Sequence, residues 1–286
     1  MLRCKATPMM STTETQIPAD GLSLPMRIYR SEATLPGAPV VLHLHGGAFV
    51  SGGLDNGRAV ASLLAEAGAA VMSVAYPLAP EHRFPEGLEA TFGALEWLHR
   101  TRSRLASRKS RVFVAGEEAG GNLAAALAMM ARDRQGPPLA GQILLSPMID
   151  PRMATCSMRE AAAGPVGCQW ADGWHAYLGS AEKAAHPYAS PLVSTRLAGL
   201  PPALVLTAED DLLRDEALTY ARHLRMANVP VHAHILPAPA GWPCAFHTAQ
   251  AAPAPWAAAV REHFKEFFAA TAGMSGCCAA IRPLSN

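Results

Sequence analysis

The amino-acid sequence predicts an α/β protein with a mostly parallel central sheet and helices on both faces. Short runs rich in β-branched residues alternate along the chain with longer segments of helical spacing. Strands that alternate with helices usually pair in parallel, and the helices then cover the two faces of the sheet. Half of the 286 residues are hydrophobic, which is enough for one large domain with a sizeable core.

The first half of the chain supplies a predicted hairpin and three buried strands. Residues 1 to about 12 are interpreted as a loose start. Thr13–Ala19 and Met26–Ser31 then form the hairpin around the turn residues 19–21. Apolar runs predict the buried strands, and helices separate them: strands Val40–Leu44, Ala69–Ala75 and Val112–Ala115, with helices at Ala59–Ala67 and from Glu86.

The second half continues the alternation of strands and helices. Its predicted elements are helix Leu123–Met130, strands Gln142–Leu145 and Ala203–Ala208, helix Arg214–Met226, strand Val229–Leu236 and helix Ala257–Phe268. From Ala272 onward the residues are small and polar. We therefore expect a single domain over residues 1–271 and a disordered tail over 272–286.

Residues 150–187 form an irregular insertion in this pattern. Within it, Trp170, Trp174 and Tyr177 are spaced by four and three residues. This spacing places side chains on one face of a helix and predicts a short helix over a pocket. Ordinary core packing is the alternative interpretation.

Charge and composition argue against several functional classes. The formal net charge of +1 gives no global field that would attract nucleic acid or acidic membranes. The basic stretch His99–Arg111 lacks interleaved aromatic residues and is interpreted as a solvated helix end and loop. No membrane-spanning run, metal-ligand spacing or cofactor motif is found. Because no secretory signal is recognised, the expected location is the cytoplasm.

A glycine-rich turn joins the strand ending at Ala115 to the helix starting at Leu123. A strand, a tight glycine turn and a helix form the context of a nucleophile elbow, G-x-S-x-G. The glycines Gly116, Gly120 and Gly121 are present, but Glu118 stands where the elbow has serine. Since residues 116–121 contain no serine, threonine or cysteine, ordinary acyl-serine chemistry is not expected here.

Several further segments occur together with this turn in a fixed order along the chain. They are His45–Phe49, the proline-rich loop Tyr76–Pro85, His186–Leu192, Leu200–Pro202 and Asp211–Glu216. In this combination the chain resembles the hormone-sensitive-lipase-like (family IV) esterases of the α/β-hydrolase fold. The resemblance covers roughly Met26–Phe268 and implies a hydrolase of small carboxylic-ester-like substrates.

The resemblance also implies a set of site residues at the carboxyl ends of the strands. The backbone N–H groups of Gly46, Gly47 and Ala119 match the oxyanion hole of the family, which stabilises negative charge on a carbonyl oxygen. Asp211 matches the catalytic acid, and His247, after the last strand, matches the base. We expect Glu118, Asp211 and His247 to converge beside the two glycines.

The cap over this site is expected to be smaller than is common in the family. The first predicted strand begins close to the N-terminus, which leaves residues 150–187 to supply the cap alone. A reduced cap implies a more open pocket, and a second subunit of a homodimer could cover it.

Three interpretations of Glu118 stay open. It could be a carboxylate nucleophile, as the aspartate at this position is in haloalkane dehalogenases and epoxide hydrolases of the fold. It could be a general base or polar clamp that acts with His247 on water or a substrate proton. Alternatively, the site is catalytically degenerate and only binds a small molecule, for which the plant gibberellin receptor of the same family is a precedent.

Overall fold

The computed structural model describes residues 10–17, 23–32, 34–160, 165–247 and 254–273. Its centre is an eight-stranded sheet. The strands are β1 (Met10–Ile17), β2 (Leu24–Ser31), β3 (Val40–Leu44), β4 (Ala70–Val74), β5 (Val112–Glu117), β6 (Leu139–Leu145), β7 (Ala203–Ala208) and β8 (Val231–Leu236). Their spatial order is β1-β2-β4-β3-β5-β6-β7-β8.

Pairing within the sheet confirms the predicted, mostly parallel architecture. Strands β1 and β2 pair antiparallel, and β2 also runs antiparallel to β4. All pairings from β4 through β8 are parallel. The central strands β3, β4, β5 and β7 are buried along their whole length, as expected for strands covered on both faces.

Helices cover both faces of the sheet. They are α1 (Arg58–Glu66), α2 (Glu86–Leu105), α3 (Ala119–Asp133), α4 (Cys156–Glu160), α5 (Pro165–Leu178), α6 (Arg214–Met226) and α7 (Ala257–Gly273). Buried residues of α1 and α7 pack in one apolar cluster with one side of the sheet. Those of α2, α3 and α6 form a second, larger cluster with the other side. None of the helices in the described ranges is long and apolar enough to cross a membrane.

Several predicted boundaries needed correction. Strand β1 starts at Met10, so residues 10–12 are not a loose start, because pairing with β2 orders them. Strand β5 runs past Gly116 to Glu117, and α3 begins four residues earlier than predicted, directly after the turn. Helix α7 extends to Gly273, so the first residues assigned to the tail are helical. The predicted start, turn and tail at residues 1–9, 19–21 and 274–286 lie outside the described residues.

The insertion at residues 150–187 carries α4 and α5. The aromatic residues of α5 are buried and belong to the cluster on the α3 side of the sheet. Phe49, in the loop after β3, stacks on Tyr177 with ring centroids 4.0 Å apart and packs against Trp174 at 4.9 Å. The spacing of the three aromatic residues therefore predicted their common helical face correctly.

Candidate active site

Two glycine-rich turns meet where the neighbouring parallel strands β3 and β5 end. A Cβ atom on Gly120 would lie 2.0 Å from the carbonyl oxygen of Leu44, the last residue of β3. Such a distance is impossible for a real side chain, so only glycine allows the first turn of α3 to approach β3 this closely. This contact brings the loop after β3 against the turn that carries Glu118.

Glu118 occupies a sharp turn between β5 and α3. Its backbone has φ of 54° and ψ of −118°, in a region that residues with a side chain rarely adopt. Two hydrogen bonds hold this conformation: its N–H donates to Leu145 O at 3.0 Å, and its carbonyl accepts from Met148 N at 3.0 Å. The turn aims the side chain at the loop after β3.

The Glu118 carboxylate is buried and accepts four hydrogen bonds. Its Oε1 atom accepts from the backbone N–H of Ala48 at 3.2 Å and from Trp170 Nε1 at 2.7 Å. Its Oε2 atom accepts from the N–H of Gly47 at 3.0 Å and faces His247 Nε2 at 2.7 Å. Both oxygens are therefore fully satisfied, and the charge is balanced by the His247 imidazolium when that ring is protonated.

His247 follows a short 3-10 helix, Cys244–Phe246, in the segment after β8. Burial of the ring acts to lower the pKa of His247, but the hydrogen bond to Glu118 and the charges of Glu118 and Glu117 outweigh it and raise the pKa. The second ring nitrogen, Nδ1, has no hydrogen-bond partner among the described residues.

Asp211 lies in the loop after β7, and its carboxylate makes its hydrogen bonds to residues other than His247. Its Oδ2 atom accepts from the hydroxyl groups of Ser146 and Thr207, and its Oδ1 atom accepts from Leu213 N at 2.9 Å. Burial raises the pKa of Asp211, against the effect of these hydrogen bonds. The structure thus brings Glu118 and His247 together, whereas no hydrogen bond within the described ranges joins Asp211 to His247.

The predicted oxyanion donors are divided between two carboxylates. Gly47 N–H donates to Glu118, but Gly46 N–H donates to Glu117 Oε1 at 3.2 Å. Ala119 is the first residue of α3. Sequence reasoning missed Ala48 as a donor to Glu118, although the left-handed backbone of residues 47–49 (φ of 117°, 51° and 68°) makes Gly47 and Ala48 consecutive donors.

Glu117 anchors a second, completely buried network. His43 Nε2 lies 2.8 Å from Glu117 Oε2, and His43 Nδ1 lies 2.9 Å from Ser73 Oγ. All three side chains are at 0% exposure. Since the other Glu117 oxygen binds Gly46 N–H, this network ties β3 and β4 to the loop that carries the donors. The sequence shows only adjacent glutamates and gives no signal for these partners.

His45 packs beside the same loop. Its ring stacks on Tyr76 with centroids 4.3 Å apart, and the Tyr76 hydroxyl donates to His45 O at 2.8 Å. Burial lowers the pKa of His45 to about 4, so the ring is neutral at pH 7.

The segment that leads to His247 is held by an acidic residue beside Asp211. Asp210 Oδ2 accepts from the N–H groups of Ala240 at 2.9 Å and Gly241 at 3.0 Å. The adjacent Glu209 accepts from Ala238 N at 3.2 Å. These contacts fix the backbone from β7 to the turn before His247, so Asp210 supports the histidine indirectly.

Comparison with known proteins agrees with this architecture. A family model described as the alpha/beta hydrolase fold matches residues 41–240. A carboxylesterase, NlhH, of Mycobacterium tuberculosis is 37% identical over 231 residues, which cover 78% of this chain and 72% of that protein. An arylesterase of Saccharolobus solfataricus is 33% identical over 227 residues, covering 78% of this chain and 74% of the relative.

Solved structures give the same result. A thermostable esterase from Pseudomonas putida ECU1011 superposes with a TM-score of 0.81 and 30% sequence identity, covering 91% of this chain and 83% of the other. An arylesterase structure superposes with a TM-score of 0.77 and 28% identity, covering 92% and 84% of the two chains. The similarity therefore extends over most of the fold of this chain.

Proposed function

This chain belongs to the α/β-hydrolase family, in its hormone-sensitive-lipase-like branch, and from that premise we propose that it hydrolyses small carboxylic-ester-like substrates. We further propose that Glu118 stands at the nucleophile position. Its place at the strained turn between β5 and α3, within 2.7 Å of His247, supports this assignment. Acyl-serine chemistry is then absent from the elbow.

A carboxylate at this position favours activation of water over direct attack. Attack by Glu118 on an ester carbonyl would give a high-energy anhydride. In the proposed reaction, Glu118 first releases the N–H groups of Gly47 and Ala48, which then bind the ester carbonyl oxygen. The Glu118–His247 pair accepts a proton from a water molecule as that water attacks the carbonyl carbon. The tetrahedral intermediate then collapses with cleavage of the bond to the alcohol oxygen, which takes this proton from the pair and leaves as the alcohol, so the carboxylic acid is the second product.

This reaction is expected to be slow because Glu118 must first leave its hydrogen bonds. In the resting structure its carboxylate takes both backbone donors that an ester oxygen needs. Loss of the nucleophile in a serine hydrolase leaves about 10³- to 10⁴-fold acceleration from the oxyanion hole and binding. We expect activity on short-chain esters in this low range.

Ligand binding without turnover is the second candidate function. The observation that favours it is the complete hydrogen bonding of the Glu118 carboxylate, which leaves neither oxygen short of a donor. Nucleophilic attack by Glu118 on a non-ester substrate is a third chemistry, and it too requires the carboxylate to leave these donors.

Hydrolysis of p-nitrophenyl acetate and butyrate by the purified chain tests the proposal. The Glu118→Gln variant keeps the size of the side chain but cannot accept a proton, so we expect its rate to fall to background. Glu81→Gln makes the same chemical change at an exposed position and should leave the rate unchanged. A fluorophosphonate probe, which labels activated serines, should not react. Equal rates for Glu118→Gln and the parent chain, or robust serine labelling, would overturn the water mechanism.

The cytoplasmic location and the homodimer remain predictions from the sequence. Sedimentation at several protein concentrations tests the second. A mass of one chain at all concentrations would contradict a dimer that covers the pocket.

A further inference from the structure

The hydrogen bonds to Glu118 form a cradle for both oxygens of a carboxylate. One backbone N–H and one side-chain N–H face each oxygen: Ala48 and Trp170 face Oε1, whereas Gly47 and His247 face Oε2. With Glu118 in place, the two backbone donors serve different oxygens, and one side-chain donor completes the pair on each. Four donors divided equally between two oxygens match a planar carboxylate, although the two backbone N–H groups can also serve a single ester oxygen once Glu118 has left.

The cradle contains donors only. Backbone N–H groups and the indole nitrogen can only donate, and a protonated imidazole donates from both nitrogens. The carboxylate of the adjacent residue, Glu117, is directed away into hydrogen bonds with His43 and Gly46 N–H. A group that can only donate hydrogen bonds would find no acceptor in the cradle, and an anion is favoured over a neutral acceptor because hydrogen bonds to a charged oxygen are about twice as strong.

Close packing limits the size of the anion. A Cβ atom on Gly46 would lie 2.6 Å from Glu118 Oε2 and 2.6 Å from His247 Cε1, so the backbone touches the carboxylate directly. Helix α5 contributes a second wall, because Trp170 reaches Oε1 from it. The space beyond the Cβ atom of residue 118 holds one methylene and one carboxylate, which is the size of acetate.

We propose that Gly47, Ala48, Trp170 and His247 form a binding site for small monocarboxylates, and that Glu118 is its tethered occupant in the resting molecule. The acid released by ester hydrolysis carries the same group, so Glu118 imitates a product and holds the site closed. The proposal concerns the site of the proposed function and rests on it for the identity of the competing ligand.

Tethering has a measurable consequence. A side chain attached to the site has an effective concentration in the millimolar range or above, so a free carboxylate competes poorly with it. Truncation at residue 118 removes the competitor and leaves the donors in place. Free acetate should then bind to the variant and restore the missing interactions.

Titration of Glu118→Ala with sodium acetate tests the proposal directly. The signal is the indole ¹H–¹⁵N resonance of Trp170, assigned by its loss in Trp170→Phe, in a Bis-Tris buffer at pH 6 and constant ionic strength. We expect a saturable shift, with an affinity for acetate at least about tenfold higher than that of the parent chain, where Glu118 competes. Acetamide has the same shape without the charge, so it should shift the resonance only at concentrations at least about tenfold higher.

Two further variants complete the experiment. Glu118→Gln fills the cradle with an uncharged isostere and should not bind acetate. Glu118→Ser also vacates the cradle and replaces Glu118→Ala if that variant does not fold. A Trp170 resonance that stays unchanged in acetate for every folded truncation variant would overturn the proposal, as would equal responses to acetate and acetamide.

The outcomes of the two proposals are distinguishable because this experiment measures binding and no turnover. Acetate binding to Glu118→Ala together with an inactive parent chain would overturn only the hydrolase. Ester hydrolysis by the parent chain without acetate binding to the truncated variants would overturn only the carboxylate site.

Discussion

At the scale of single residues, the position of Glu118 decides what the site can do. Its strained turn directs the side chain into the donors that an ester oxygen would otherwise use. A serine in the same backbone conformation would be too short to reach all of them. One side chain therefore changes both the available nucleophile and the occupancy of the oxyanion site.

Replacement of Glu118 by serine should increase ester hydrolysis. The change frees the N–H groups of Gly47 and Ala48 and removes the carboxylate that holds the proton on His247. We expect the rate with p-nitrophenyl acetate to rise by at least about tenfold, or roughly 1.4 kcal/mol of transition-state stabilisation. Steady-state kinetics of the two proteins measure the effect.

Asp211 provides the control for this gain. In the present structure it binds Ser146, Thr207 and Leu213, so it must turn toward His247 to complete a triad. If it does so, Glu118→Ser combined with Asp211→Asn should lose most of the gained activity. A folded Glu118→Ser protein without any gain on acetyl or butyryl esters would favour the binding protein over the hydrolase.

Glu117 is expected to matter for stability more than for chemistry. Its carboxylate pairs with His43 and accepts from Gly46 N–H at a fully buried position. Removal of the carboxylate leaves His43 and the Gly46 N–H without a partner in the interior, at a cost of about 1–3 kcal/mol for each such group. Urea denaturation of Glu117→Ala should show a loss of this size, whereas Glu81→Ala at an exposed position should change little. A loss below about 1 kcal/mol would mean that water replaces the carboxylate.

At the scale of secondary-structure elements, the packing of α5 on the loop after β3 shapes the site. Trp170 donates to Glu118 from this helix, and Trp174 and Tyr177 enclose Phe49. Gly173 lies on the same face, where a Cβ atom would be 2.3 Å from the carbonyl oxygen of Ala48. The helix can therefore rest on the donor loop only where it has no side chain.

Substitution of Gly173 by alanine should separate helix α5 from the loop after β3. Gly173→Ala forces the backbone of Ala48 to move, so we expect a lower melting temperature and a shifted Trp170 indole resonance. Gly93, in the middle of α2, has open space within 4 Å of the position that a Cβ atom would take, and Gly93→Ala should instead stabilise by about 0.5–1 kcal/mol through helix propensity. If both variants were stabilised equally, α5 would not be seated on the loop as described.

At the scale of the whole molecule, two histidines of the site give the stability a maximum near neutral pH. Burial lowers the pKa of His45 from 6.5 in the unfolded chain to about 4 in the folded protein. Between pH 6.5 and 4 the unfolded chain therefore binds a proton that the folded protein does not, and the free energy of unfolding falls as the pH drops. The resulting loss in the free energy of unfolding reaches about 3 kcal/mol. Despite its burial, His247 has a raised pKa because of Glu118, so its contribution is complete below pH 6.5 and is lost as the pH rises through the raised value.

Unfolding free energies measured from pH 4 to 9 check both the loss of stability at low pH from His45 and the loss at higher pH from His247. Glu118→Gln removes the carboxylate that raises the pKa of His247, so the difference between this variant and the parent should shrink above pH 6.5. His45→Gln cannot titrate, so its stability should depend less on pH between 6.5 and 4. A constant difference between Glu118→Gln and the parent over the whole range would contradict the ion pair with His247.

Local patterns in the sequence predict the fold and the turns that carry the site. Apolar runs located the buried strands, because the alternation of short buried strands with helices is a local pattern. The polar, exposed β1 was predicted only as one arm of a hairpin, with its start three residues too late. Glycine spacing identified the turn at Glu118, because the close approach of β5, α3 and β3 tolerates no other residue. The family resemblance implied that the base follows the last strand, and His247 of that segment lies 2.7 Å from Glu118.

The hydrogen-bond partners within the site could not be predicted from the sequence. Trp170 meets Glu118 from 52 residues further along the chain, and Ala48 donates to it because a left-handed loop continues past Gly47. The backbone N–H of Gly46 donates to Glu117, and the Asp211 carboxylate accepts from the hydroxyl groups of Ser146 and Thr207. Each of these choices depends on which loops meet at the ends of the strands, because buried polar groups bond to whichever partner the packing brings within reach.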